Sequence, residues 1–244
     1  MSSWQGALVL FRHEMRRSWV GIVVTMAFFT YIAFALMLVM GETIGEQASG
    51  ETSNEAWFID FMFLTLLPNI AFTMNRTAFK YWSTNPFTRK LAYWRTMPIS
   101  LDSIVMARML QLVVTLALVG IYYFAIQYAM VGELRDILTI GQYVLFILPW
   151  MGYALLVSSL YMFAEQTVNG KIYMVICILC IVLYALLVLG LWWIDLQPVS
   201  LTLQWAKEGN GLPAIVMLMA GAAVLLAAGH VVRNKLLKRS LINA

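Results

Sequence analysis

IYMVICILCIVLYALLVLGLWWI, running from Ile172 to Ile194, contains no charged residue. At 1.5 Å per residue, a helix of this length crosses the roughly 30 Å hydrocarbon core of a bilayer. The segment therefore reads as a membrane span. The chain around it has the same character: 62% of its 244 residues are hydrophobic, 11% are charged and the mean hydropathy is +0.80. A soluble domain does not have this composition.

Six apolar stretches are long enough to cross, near 19–40, 57–77, 104–130, 138–163, 172–194 and 212–232. The expected fold is an all-α polytopic membrane protein, one domain of six transmembrane helices. The second stretch is the least clear, since only fifteen uncharged residues separate Asp60 from Arg76, although Trp57, Phe58 and Ile59 extend it outward and it can span with Asp60 at the headgroup level. Pro68 and Pro149 are expected to kink their helices, with neighbouring groups bonding the freed carbonyls.

Orientation follows from lysine and arginine, which cytoplasmic loops retain. With the amino terminus inside, fourteen of the sixteen basic residues are cytoplasmic, leaving Arg135 and Lys207 outside. The outer loop 41–56 carries Glu42, Glu46, Glu51 and Glu55 with no basic residue. Both termini are thus expected in the cytoplasm. The net charge of +4 is a topology signal and gives no reason to expect nucleic acid; the basic residues face the anionic inner leaflet or a cytoplasmic partner. The first apolar run, about 22 residues without a small-residue cleavage site, is expected to stay as a span.

Before that span, Trp4, Leu8, Phe11 and Met15 recur at helical spacing while Arg12, Arg16 and Arg17 take other faces. Residues 1–18 therefore read as an amphipathic helix at the inner interface, its apolar side in the acyl boundary. A second short helix is expected over 85–98. Asn85 is placed to cap it, Pro86 suits its first turn, and Phe87, Leu91 and Trp94 fall on one face, with Arg89, Lys90 and Arg95 around the rest. Pro98 would stop it, and Ser100 or Asp102 would cap the span that follows. Segment 195–211, with Pro198, Trp205 and Gly209, either projects outward or dips into the outer leaflet.

Polar residues within the spans are few: Asn69, Asn75, Gln111, Gln127, Ser158 and Ser159. Each either lines a path or bonds a neighbouring helix, and packing is the commoner outcome. Asp60 and Glu165 lie at span edges, where a carboxylate reaches water or caps a helix; Glu165 and Lys171, flanking a tight turn, alternatively form a second cytoplasmic contact. Cys177 and Cys180 share a helical face with no second pair to complete a zinc site. No H-E-x-x-H, G-x-S-x-G or phosphate-loop motif occurs, so no catalytic residue and no metal site is expected, and the chain is not read as an enzyme. No ionisable group sits at a span centre to bind a coupling ion, so the energy for uphill transport would come from another subunit.

The basic amino-terminal helix, the six spans and the segment Arg89-Lys-Leu-Ala-Tyr-Trp-Arg-Thr-Met-Pro-Ile-Ser100, followed by Ile104-Val-Met-Ala-Arg108, resemble the ABC-2 type permeases, the membrane subunits of one class of ABC exporter. The Leu-x-x-x-Arg-x-Met-Pro-Ile-Ser portion is similar to that family's coupling loop between spans two and three. The resemblance implies a bacterial cytoplasmic-membrane complex of two permeases, either two copies or a copy with a paralogue, and two cytoplasmic ATPases that bind the ATP and Mg. Phe87, Arg89, Lys90, Leu91, Tyr93, Trp94, Arg95, Met97 and Pro98 would dock the ATPase.

In that family the first and fifth spans commonly line the permease pair. Here those spans are aliphatic and aromatic, which favours a greasy or amphipathic substrate, with Phe28, Tyr31, Asn69 and Asn75 as candidate path residues. The small size and the aromatic, methionine-rich spans look like the bacterial drug and peptide exporters, among them those for amphipathic peptides such as phenol-soluble modulins or bacteriocins. The competing readings are a permease for small drugs, ions or lipids, and a membrane scaffold or immunity protein that recruits its partner through the 85–98 helix.

Overall fold

In the computed structural model, residues 2–49, 55–74, 86–95 and 99–238 are described, apart from the side chains of 44–49, 86–88, 95 and 238. Asn75, Asn85, Met97 and Pro98 lie outside the described residues, as do the side chains of Phe87 and Arg95.

The helices are α1 (Ser3–Ser49), α2 (Ala56–Leu66), a 3₁₀ turn (Leu67–Ala71), α3 (Pro86–Arg95), α4 (Leu101–Met130), α5 (Gly132–Ile137), α6 (Ile140–Thr167), α7 (Gly170–Trp193), α8 (Pro198–Lys207) and α9 (Leu212–Lys238). No strand occurs among the described residues. Five helices, α1, α4, α6, α7 and α9, are long and apolar enough to cross a membrane, and Ala56–Ala71 is a shorter apolar stretch. The chain is an all-α multi-pass membrane protein.

The starts of the long helices are capped by the residue types that do this best. The Ser100 hydroxyl accepts from the Ser103 amide at the head of α4, Thr139 and Gln142 form a reciprocal capping box on α6, and the Asn169 side chain accepts from Ile172 N–H on α7.

Two parallel helix pairs make the frame. α1 runs beside α4, tied by Ser103 Oγ to Ser3 O (2.8 Å), Thr30 Oγ1 to Tyr122 OH (2.8 Å) and Gln127 Nε2 to Met40 Sδ (2.8 Å). α6 runs beside α9 across a seam of glycines, where a Cβ added to Gly221 would meet the Gly152 carbonyl oxygen at 2.7 Å. Small residues permit this closeness, and close backbone packing is what holds apolar helices together where lipid is as greasy as their side chains. One pole of the bundle, the basic pole, carries Arg12, Arg16, Arg17, Lys90, Arg108 and Arg233; Glu42 and Glu133 lie at the other.

Between the pairs lies the short segment α2–3₁₀. A continuous kinked span over 57–77 is not what forms: the α-helix stops at Leu66 and a 3₁₀ turn follows. Pro68 has no N–H to bond Leu64, and the Leu64 carbonyl instead accepts the hydroxyl of Tyr153 at 2.7 Å. Leu67, Pro68, Ile70 and Ala71 are buried, and Met74 N–H ends the segment by donating to Thr25 Oγ1 of α1 at 2.9 Å. Pro149, by contrast, lies within an unbroken α6.

Asp60 is not at a wet headgroup edge. It is buried and accepts from Val199 N–H (2.8 Å) at the start of α8, so it caps another helix across space. Segment 195–211 contains α8, which packs on α6 and α2 through Thr202, Leu203 and Ala206; Trp150 Nε1 donates to Thr202 at 3.1 Å. At the end of α8, Gly209 takes a positive φ of 70°, a backbone shape that favours glycine.

The expected separate interfacial helix over 1–18 does not form. Residues 3–49 are one continuous helix, about 70 Å long at 1.5 Å per residue, and the buried face of its first part is Ala7, Leu10, Glu14 and Ser18. Trp4 of the expected apolar face is half exposed, and Leu8, Phe11 and Met15 are only partly buried. The helix packs on protein because α3, α4 and α9 supply a cluster there, Leu91, Ile104, Val105, Val232 and Leu236.

Candidate functional site

At the basic pole two carboxylates are withdrawn from the surface beneath α3, one of them paired with the partly exposed Lys90. Glu14 on α1 and Glu165 at the end of α6 are each only 4% exposed. Lys90 Nζ of α3 pairs with Glu14 Oε2, and Arg108 Nη2 of α4 lies 2.5 Å from Glu165 Oε2. Arg108 Nη1 also donates to Gln111 Oε1 at 3.0 Å, and its guanidinium lies 5.7 Å from the Phe72 ring, where the α2–3₁₀ segment ends. Lys90 in turn sits 4.6 Å from the Trp94 ring on its own helix. Two cations and two carboxylates thus connect α1, α3, α4 and α6.

The electrostatics are those of one network. Burial is the largest influence on Lys90 and lowers its pKa below the ordinary lysine value; Glu14 and Glu165 work to raise it, and Arg108 to lower it further. A buried ion pair contributes little over an apolar contact, yet losing one partner is costly because the other is stranded. Such a cluster makes the position of α3 depend on α1 directly and on α4 and α6 through the field of the second pair.

Helix α3 begins at Pro86 as read from sequence, but its faces are used differently. Leu91 is 6% exposed and Trp94 is partly buried, both against the protein's own cluster of Ala7, Leu10 and Val232. Leu91 is therefore a seat for α3 on the bundle and not an exposed anchor for a partner. Arg89 and Tyr93 are on the exposed side. Glu165 is likewise no surface contact, being buried and ion-paired, whereas Lys171 is exposed at the head of α7.

Three of the candidate path residues are described. Phe28 is partly buried on α1 against Phe29, Tyr31 is exposed on the outer face of α1, and Asn69 lies exposed in the 3₁₀ turn with Nδ2 donating to Thr65 O at 2.7 Å. A different feature lies on the flank, an apolar cleft of about 300 Å³ between α2 and α7, lined by Trp57, Phe61, Ala185, Val188, Leu189 and Trp192. Helix α7 buries only Gly170 and Val188, so most of its length is open to what surrounds the bundle.

Sequence reasoning missed Glu14 and Arg108. The signal was there for the second: Arg108 and Glu165 are opposite charges at the same end of two apolar stretches, and charges at such depths pair. Glu14 had no comparable signal, since an acidic residue among arginines reads as solvated. No protein-family model, characterised protein or solved structure matches the chain.

Proposed function

We propose that the chain is the permease subunit of an ATP-driven ABC exporter, with α3 as the coupling helix. The observation that carries this reading is the seating of α3: a short helix outside the spans, held to α1 by Lys90–Glu14 and placed beside the Arg108–Glu165 pair. A push on the exposed Arg89–Tyr93 face would be felt at once by elements of both helix pairs. In this reading Ala56–Ala71 with the extended residues after it is the sixth crossing, since eleven α-helical and five 3₁₀ residues extend roughly 26 Å. Both termini are then cytoplasmic, in keeping with the basic pole. Two such permeases and two ATPases, which supply ATP and Mg, complete the exporter.

The substrate class that fits is an amphipathic or hydrophobic peptide. The support is the cleft between α2 and α7, which is at the lower end of the roughly 300–1,000 Å³ of ligand pockets and is lined only by apolar and aromatic side chains. A sugar polymer, which carries a hydroxyl on nearly every carbon, would find at most the indole N–H groups of Trp57 and Trp192 to bond there.

The test is a pull-down of the tagged chain from native membranes in mild detergent with an ATPase assay of what accompanies it. A stoichiometric ATP-binding subunit is expected, lost in Arg89→Glu with Tyr93→Ala, a pair of exposed positions, while the chain stays folded. Its absence from the wild-type preparation overturns the reading. Amphipathic helical peptides should raise the ATPase rate of the complex; a response to lipid-linked sugars instead removes the peptide assignment.

A further inference from the structure

We propose that the outward face of α1 at the basic pole binds the headgroups of anionic phospholipids. This does not rest on the exporter reading, only on the chain's being a membrane protein. Arg12, His13, Arg16 and Arg17 are all exposed; at 3.6 residues per turn Arg12 and Arg16 occupy the arc of α1 opposite Ala7, Leu10, Glu14 and Ser18, with His13 and Arg17 on its flank. The same arc continues directly into Trp19, Val20, Val23 and Val24, which are exposed apolar residues, and onward to Tyr31, Phe34 and Leu38. A lipid-facing stripe that ends in a band of guanidinium groups is at the depth where acyl chains give way to phosphates.

Charge complementarity decides the occupant. Glu14, the one carboxylate within this stretch of α1, is turned inward and held by Lys90, so it does not moderate the face. Arg12, Arg16 and Arg17 have no ion pair among the described residues. Arg12 and Arg16, one turn apart, are spaced to share one phosphate, with Arg17 reaching a neighbouring one. A cytoplasmic protein would need a surface that follows the arginines away from the bilayer; here the apolar continuation of the arc runs into it. Because Glu14 on the back of the same turn holds Lys90, lipid held on the front bears on the seat of α3.

The experiment is native mass spectrometry of the full-length chain in mild detergent, given equimolar phosphatidylglycerol and phosphatidylcholine with identical acyl chains. Wild type should retain phosphatidylglycerol preferentially, by roughly fivefold for each arginine engaged. Arg12→Gln, Arg16→Gln and Arg17→Gln together should bring the ratio near one, the corresponding lysine triple should preserve it, and Arg135→Gln at the other pole should leave it unchanged. Should the glutamine triple not fold, about 0.5 M NaCl applied to wild type must cut the preference, since exposed charges are screened at that ionic strength. Equal retention of the two lipids by wild type overturns the proposal and leaves the face to a protein partner; a preference undiminished in the glutamine triple, or by salt, also overturns it.

Discussion

Tyr153 on α6 donates its hydroxyl to the Leu64 carbonyl at 2.7 Å, the carbonyl that Pro68 leaves without a helical donor. An apolar segment cannot leave such a group unbonded where no water reaches it, so the break in α2 and the tyrosine are one device. Tyr153→Phe removes the donor and should cost about 1–3 kcal/mol, the penalty of a stranded buried acceptor. In a Pro68→Ala background, where an N–H is restored, the cost should shrink. Thermal unfolding of the four variants in detergent measures both, and an equal cost in both backgrounds would contradict the coupling.

Arg108 and Glu165 are 57 residues apart in sequence and 2.5 Å apart in space. Glu165→Gln or Arg108→Met alone should destabilise by about 3–5 kcal/mol, because each strands a buried charge. Arg108→Met with Glu165→Met should recover much of that loss, since an apolar pair leaves nothing to solvate. A double variant whose loss equals the sum of the losses of Arg108→Met and Glu165→Met taken singly would mean that the pair is not energetically coupled.

Gly152 and Gly221 lie where α6 and α9 meet backbone to backbone. A Cβ on Gly152 would lie 2.5 Å from the Met217 carbonyl carbon, which is backbone and cannot swing aside. Gly152→Ala should therefore cost about 1–3 kcal/mol through overpacking. Gly190 in α7 has nothing within 4 Å of its added Cβ, so Gly190→Ala should be neutral or stabilise by up to about 1 kcal/mol. The same order of effect at both sites, read from thermal unfolding, would count against the seam.

Much of the architecture was legible because membrane helices announce themselves locally. An uncharged run such as Ile172–Ile194 needs no partner to be recognised, and α7 at Gly170–Trp193 matches it. Helix α3 was legible for the same reason, its start written by Pro86. Its orientation was not. Leu91 and Trp94 form an apolar face whether they meet a partner's groove or the protein's own helices, and only the presence of Ala7, Leu10 and Val232 at that place distinguishes the two.

The amino-terminal helix failed for a related reason. A helix with arginines on one side and apolar residues on the other looks interfacial, and nothing local reports that Ser103 Oγ will bond Ser3 O or that Glu14 will meet Lys90. Both are contacts between residues 76 or more apart.

The sequence by itself determined that the chain is helical, that it lives in a membrane, and where most of its long apolar helices lie. These depend on the transfer of apolar side chains out of water and on backbone rules at proline and the caps, all properties of consecutive residues. Tertiary structure alone decided which charges are hidden and what they meet, that Asp60 caps α8, that Tyr153 repairs the break at Pro68, and that α3 turns its greasy face inward. A buried charge or an unbonded carbonyl is tolerable only with its partner in place, and that partner is chosen by how distant helices pack.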